Sequence, residues 1–132
     1  MASIGLAYVA QDNVSHNVVI NRFTEGAIPR TYDGTAAYGR TTSGGTTVES
    51  RSGRQKYIWA ISAPLSRADA LKVDAMFKDW DGDRANGFAS AVGVTDQTFG
   101  SSLSTTAVFS TPPSYEYLSK HFIVVTFGLT EV

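Results

Sequence analysis

The sequence contains no cysteine, which excludes disulfide staples and thiol chemistry and leaves the redox compartment undetermined. Charge is also scarce. Asp, Glu, Lys and Arg make up 17% of the chain, against roughly 25% in an ordinary soluble domain. The eleven basic and twelve acidic residues nearly cancel, to a net −1, so no field strong enough to hold nucleic acid or an anionic membrane is expected. Long hydrophobic runs are missing too. The mildly apolar stretch in MASIGLAYVAQDN has no basic residues ahead of it and is interrupted by Gly5. It reads neither as a signal peptide nor as a membrane span.

What is present suits one domain over residues 1–132, long enough to bury a core without disulfides or metals. Hydrophobic residues are 42% of the chain, and much of the remainder is Ser, Thr, Gly and Asn rather than charge. Such a composition fits a chain that packs against neighbours or presents long polar loops.

Segment 15–23, SHNVVINRF, is rich in β-formers and predicts a strand. Segment 24–50 has no helical periodicity, and twelve of the twenty residues from Thr31 to Ser50 are Gly, Ser or Thr. It predicts a long loop or extended hairpin, with turns at Asp33-Gly34 and Gly44-Gly45. Loops of this length in a compact domain are usually functional or disordered, and this one is the best candidate for contact with a partner. Segment 54–63 has apolar residues on both faces, Tyr57, Trp59 and Ile61 against Ile58 and Ala60. It predicts a central strand covered on two sides and stopped by Pro64.

One helix is expected over about 66–81. Ser66 is a good N-cap, and Asp69 three residues on completes a capping-box pattern. Val73, Met76, Phe77 and Trp80 then form a single apolar stripe. Beyond it come a short strand over 87–95 and a strand around 107–110, with an extended kink at Pro112-Pro113. The terminal segment 121–132 is almost continuously apolar and predicts a strand buried on both faces. This order predicts an α+β fold: an antiparallel β-sandwich with one flanking helix.

The stretch DWDGDRANG places Asp79, Asp81 and Asp83 at alternate positions, the acidic spacing of a calcium loop. Two specific requirements fail. Arg84 stands where the sharp turn needs glycine, and Ser90 stands where the bidentate glutamate belongs. The segment reads instead as the end of the helix, with Trp80 its last core residue, Gly82 left-handed and Asn86-Gly87 turning into the next strand. No metal or cofactor is expected.

Catalytic signals are equally thin. His16 and His121 each stand near a strand start without the spacing of a hydrolytic or metal site, and no nucleophile-elbow sequence occurs. The chain is not expected to be an enzyme. Arg51, Arg54 and Lys56 form a small basic group before the central strand, and Tyr32, Tyr38, Tyr115 and Tyr117 fall in polar segments. Tyrosine buries area while keeping a polar tip, which suits protein–protein contacts as well as ordinary loop anchoring. The candidate subunit-interface residues are Tyr32, Tyr38, Arg40, Arg51 and Arg54.

Several stretches occur in a suggestive order: KYIWAISAP, then PLSRADALKVDAMFKDWDG, NGFASAVG, VFSTPPSYEYLS and HFIVVTFGLTEV. From Arg54 to Val132 the chain resembles the small minor tail, or distal tail, proteins of tailed bacteriophages, including the lambda-type tail-tip proteins. The resemblance rests on order and spacing rather than on a specific signature, and the region before Arg54 matches less well. It implies a β-sandwich with one helix that assembles into a ring, usually a hexamer, continuing the tail tube at the tail tip or baseplate. The Gly-Thr-rich stretch would then correspond to the loop through which subunits interlock. The implied partners are further copies of the chain and neighbouring tail proteins, with passive contact to DNA in the lumen and none with membrane. The implied location is the virion, after synthesis in the bacterial cytoplasm. A tail-tube or head–tail connector protein shares this plan. A different class, a monomeric β-sandwich that binds carbohydrate through exposed aromatics such as Tyr32, Tyr38 or Phe99, fits the same residues. The coats of small RNA phages end in helices, unlike this chain.

Overall fold

The computed structural model describes residues 3–23, 29–33, 36–40, 46–50, 56–88 and 91–132, with backbone alone for 33, 36–40 and 46–50. The described elements, in chain order, are β1 (Ile4–Val9), β2 (Ser15–Ile20), β3 (Arg30–Asp33), β4 (Ala36–Arg40), β5 (Thr46–Ser50), β6 (Lys56–Ser66), α1 (Arg67–Ala85), β7 (Val92–Asp96), β8 (Leu103–Tyr117) and β9 (Phe122–Glu131). Seven strands form one antiparallel sheet in the order β2-β1-β7-β8-β9-β6-β3, and β4 pairs with β5 in a separate two-stranded sheet. The class is therefore α+β and mainly antiparallel. Among the described residues the large sheet is single and open, so the expected face-to-face packing of two sheets is not seen in it.

The sheet is strongly curled. Helix α1 touches both β2 and β6, which have four strands between them in the sheet order. In a flat sheet those strands would lie about 24 Å apart at the usual spacing, whereas a helix with its side chains is only about 10–12 Å across. The strands must wrap around the helix. Their inward residues form the core: Ile4, Leu6, Val18, Ile20, Trp59, Ile61, Val94, Phe109, Phe127 and Leu129 are among the buried side chains. Each large one contributes about 1.5–3 kcal/mol of burial free energy. From the helix, Ala70, Val73, Met76 and Trp80 are buried, and Phe77 packs partly buried, edge-on to Phe109.

The helix begins as its sequence demands. Ser66 is the N-cap, and its hydroxyl accepts the Asp69 backbone N–H at 3.2 Å. It ends four residues later than expected, because Gly82 continues the helix instead of stopping it. The stop is made by Asn86 as C-cap and Gly87 at φ +81°. The Phe88 N–H bonds the Asp83 carbonyl at 2.8 Å and the Gly87 N–H bonds the Arg84 carbonyl at 3.1 Å, a Schellman arrangement.

The strand expected over 87–95 is β7, at Val92–Asp96, because Gly87 belongs to the turn that ends the helix. Three further strand expectations need correction. β6 runs straight through Pro64, which is register partner to Val124. The Ala60 N–H points to Pro29 on the β3 side, and backbone direction alternates along a strand. The nitrogen of Pro64 therefore also faces that side, beyond the residues of β6 that β3 pairs with, so no ladder bond among the described residues is lost. Second, β6 and β9 are covered on one face, not two. Trp59, Ile61, Val125 and Phe127 are buried, while Ala60 and Thr126 on the opposite face are exposed. Third, Pro112-Pro113 lies inside β8, where register shifts between Phe109 and Thr111 and between Thr111 and Ser114 absorb it.

Candidate interaction surface

The expected interface residues do not gather into one described cluster. Tyr32 lies on β3, exposed, with its ring 5.1 Å from that of Tyr57. The backbones of Tyr38 and Arg40 belong to β4, but their side chains lie outside the described residues, as do Arg51 and Arg54 entirely. The glycines of the turns expected at Asp33-Gly34 and Gly44-Gly45 lie outside the described residues, while Asp33 ends β3. The expected 24–50 loop contains β3, β4 and β5, so an extended hairpin is the better description of its described part.

The aspartates of DWDGDRANG point to separate partners. The Asp79 carboxylate is 2.6 Å from His16 Nε2, and Asp83 accepts from the Tyr8 hydroxyl at 2.5 Å and the Gln11 N–H at 3.0 Å. Asp79 and Asp83, one helical turn apart, thus tie the end of α1 to the β1–β2 hairpin. Asp81 instead pairs with Arg84 at 2.6 Å. Among the described residues no group of three His, Cys, Asp or Glu side chains could hold a metal.

At the opposite end of the curl, β3 and β6 meet the end of β7. Asp96 is fully buried and accepts from Trp59 Nε1 at 2.9 Å, the Thr98 N–H at 2.8 Å and the Thr98 hydroxyl at 2.5 Å. The Arg30 guanidinium stands 3.4 Å away. Burial pushes the Asp96 carboxyl up, but the Thr98 and Trp59 hydrogen bonds and Arg30 outweigh it, and the group sits below the usual carboxylate range. Arg30 lies between two rings, 4.7 Å from Tyr57 and 4.2 Å from Phe99. The hydrogen bond with Tyr32 raises the Tyr57 phenol above its ordinary value. Exposed Tyr32 and Phe99 therefore belong to a braced aromatic rim, held from beneath by a buried ion pair.

A second aromatic group lies at the far end of β8. Tyr115 donates to Asp74 Oδ1 at 2.8 Å, and burial together with that carboxylate raises its phenol well above the usual range. Tyr115, Leu71 and Ile123 line a groove of about 410 Å³ beside the start of α1, with Tyr117 exposed nearby on the same strand. The sequence singled out Tyr115 and Tyr117 but carried no signal for Arg30, Asp96 or Leu71.

No family model matches the sequence, and neither a curated protein nor a solved structure is significantly similar to it. Among the described residues no helix is long and apolar enough to cross a membrane.

Proposed function

We propose that the chain is a non-catalytic structural subunit of a bacteriophage tail tip or baseplate, a distal-tail or minor tail protein that closes with further copies into a ring continuing the tail tube. The observation that carries this reading is the way β4 and β5 are inserted. Asp33 at the end of β3 is the register partner of Lys56 at the start of β6. These strands need only a tight turn to be joined, yet residues 34–55 intervene and contain a two-stranded sheet that, among the described residues, pairs with no strand of the seven-stranded one. A sheet whose strand order closes without the insertion, and an inserted strand pair without a third strand, suit a subunit that reaches a neighbour. The order β6-α1-β7-β8-β9 is also that of the tail-protein resemblance. Contacts between different surfaces of identical copies close into a ring when the rotation per subunit divides a full turn. The near-neutral charge suits a lumen that lets DNA pass. Neighbouring tail proteins are the other partners, and the virion is the location.

The test replaces 34–55 by Asn-Gly, which closes a β3–β6 hairpin through a type I′ turn. Light scattering and negative-stain images of the parent chain are expected to give a hexamer-sized ring, and the shortened chain a folded monomer. A shortened chain that still forms the same ring sinks the proposal. So does a parent chain that stays monomeric while binding a glycan on an array, which is the outcome expected of a carbohydrate-binding module.

A further inference from the structure

The geometry points to a specific joint: the open edge of β2 in one copy takes up the β4–β5 sheet of the next. This rests on the reading above that the chain assembles with itself, and it names the atoms involved.

The direction of the β2 backbone follows from β1. The Gln97 N–H bonds the Ser3 carbonyl at 2.9 Å, so Ser3 faces the β7 side. Backbone direction alternates along a strand, so Gly5 and Ala7 face β7 while Ile4, Leu6 and Tyr8 face β2. The Ala10 N–H, bonded to the Val14 carbonyl at 2.9 Å, agrees. The register partners of Ile4, Leu6 and Tyr8 are Ile20, Val18 and His16, and these residues spend their backbone groups on β1. Ser15, Asn17 and Val19 therefore direct their N–H and C=O groups out of the sheet, where no partner is found among the described residues. Their side chains are exposed, Val19 by 60%.

The edges are not equivalent. Proteins blunt exposed edges with short strands, prolines, lysines and bulges. At the other end of the sheet, β3 has four residues, and the stretch of β6 beyond it carries Pro64. β2 has none of these devices: its six residues, SHNVVI, pair with β1 in unbroken register and include no Pro or Lys. Among the described residues it is the edge of the large sheet that is open to an added strand. The complementary part is in the same chain. A two-stranded sheet alone is marginal in water, and a third strand gives it independent stability. The β4–β5 sheet has five-residue strands, close to the length of β2, and lacks that third strand among the described residues. Edge pairing of this kind draws its affinity from main-chain hydrogen bonds. Because donor and acceptor are different surfaces, it propagates head to tail as a ring requires.

Val19→Pro tests the joint. It removes one outward N–H and places a ring on the edge, at a position where proline costs no bond to β1. Val19→Pro is expected to be a folded monomer by circular dichroism and light scattering, whereas Val19→Ala assembles like the parent. The variant with 34–55 replaced by Asn-Gly keeps the edge but lacks the hairpin, and mixing it with Val19→Pro is expected to give a 1:1 heterodimer. Hydrogen exchange on the parent assembly gives a readout independent of any variant: the Asn17 and Val19 amides are expected to be protected in the ring and to exchange freely on dilution. A parent ring in which both amides exchange freely, or a Val19→Pro ring indistinguishable from the parent, overturns the joint and leaves the ring standing. A parent chain that never assembles overturns both.

Discussion

The indole N–H of Trp59 on β6 donates to the buried Asp96 carboxylate on β7 at 2.9 Å, although β8 and β9 lie between the two strands in the sheet. Only a curled sheet allows this. The bond, with Arg30 beside it, holds the β3–β6 end over the end of β7.

Because the folded Asp96 carboxyl sits below its usual range, its contribution is fully present above the unfolded value of about 4 and is lost as the pH falls through the lower folded value. Asp96→Asn is expected to destabilise the fold by about 2 kcal/mol at neutral pH, since Arg30 loses its counter-charge. In urea denaturation across pH 7 to 2.5, its stability should fall less steeply below pH 4 than that of the parent. Equal slopes would show that the carboxylate is not ionised in the fold.

The three aspartates at the end of α1 should separate by partner. Asp83 accepts two long-range hydrogen bonds, from Tyr8 and Gln11, so Asp83→Ala is expected to cost about 1–2 kcal/mol. Asp81 meets only Arg84, three residues on, at an exposed position, and Asp81→Ala should stay within about 0.5 kcal/mol. Calcium in millimolar excess should leave the melting temperature unchanged. A calcium-dependent rise would reinstate the metal loop that the Asp79, Asp81 and Asp83 spacing suggested.

Legibility in the sequence tracked how local each cause is. The Ser66 cap, the Val73–Met76–Trp80 stripe and the strands β2, β6 and β9 depend on neighbours a few residues away, and all were readable. Pro64 was misread because a proline is harmless only where its nitrogen faces an open edge, and that depends on the register of β6 against β9 and the short length of β3. The helix end depends on which glycine takes positive φ, and it is Gly87 rather than Gly82, so that the added turn carries Asp83 to Tyr8. Arg30, Trp59 and Asp96 come together from three separate strands, and no local pattern announces them. Of the expected interface residues, only Tyr32 has a described side chain, whereas the β2 edge is a property of topology and not of composition.

Gly82 gives a gain-of-stability test of the longer helix. It lies in the interior of α1, exposed, and a Cβ there would meet nothing within 4 Å. Alanine restricts the unfolded chain and favours the helix, so Gly82→Ala is expected to stabilise by about 0.5–1 kcal/mol, a rise of a few degrees in melting temperature. A loss of stability would mean that the helix stops at Gly82 after all.

Gly128 makes the opposite case, and it probes the bulges of β8. A Cβ at Gly128 would stand 3.0 Å from Thr111 Oγ1 and 3.2 Å from both Thr111 Cβ and Ser110 Oγ. The residues that crowd it are those at the register shift of β8. Rotating the Thr111 side chain moves Oγ1 away, but its Cβ is fixed to the backbone, so the strand itself must yield. Gly128→Ala is therefore expected to destabilise by about 1–3 kcal/mol, as overpacking does. Thr111→Gly removes the obstructing atoms, so the double variant should be more stable than the sum of the two single changes requires, with a favourable coupling of at least about 0.5 kcal/mol in a denaturation cycle. Strict additivity would place the close approach elsewhere and remove the bulge as the reason for glycine at this position.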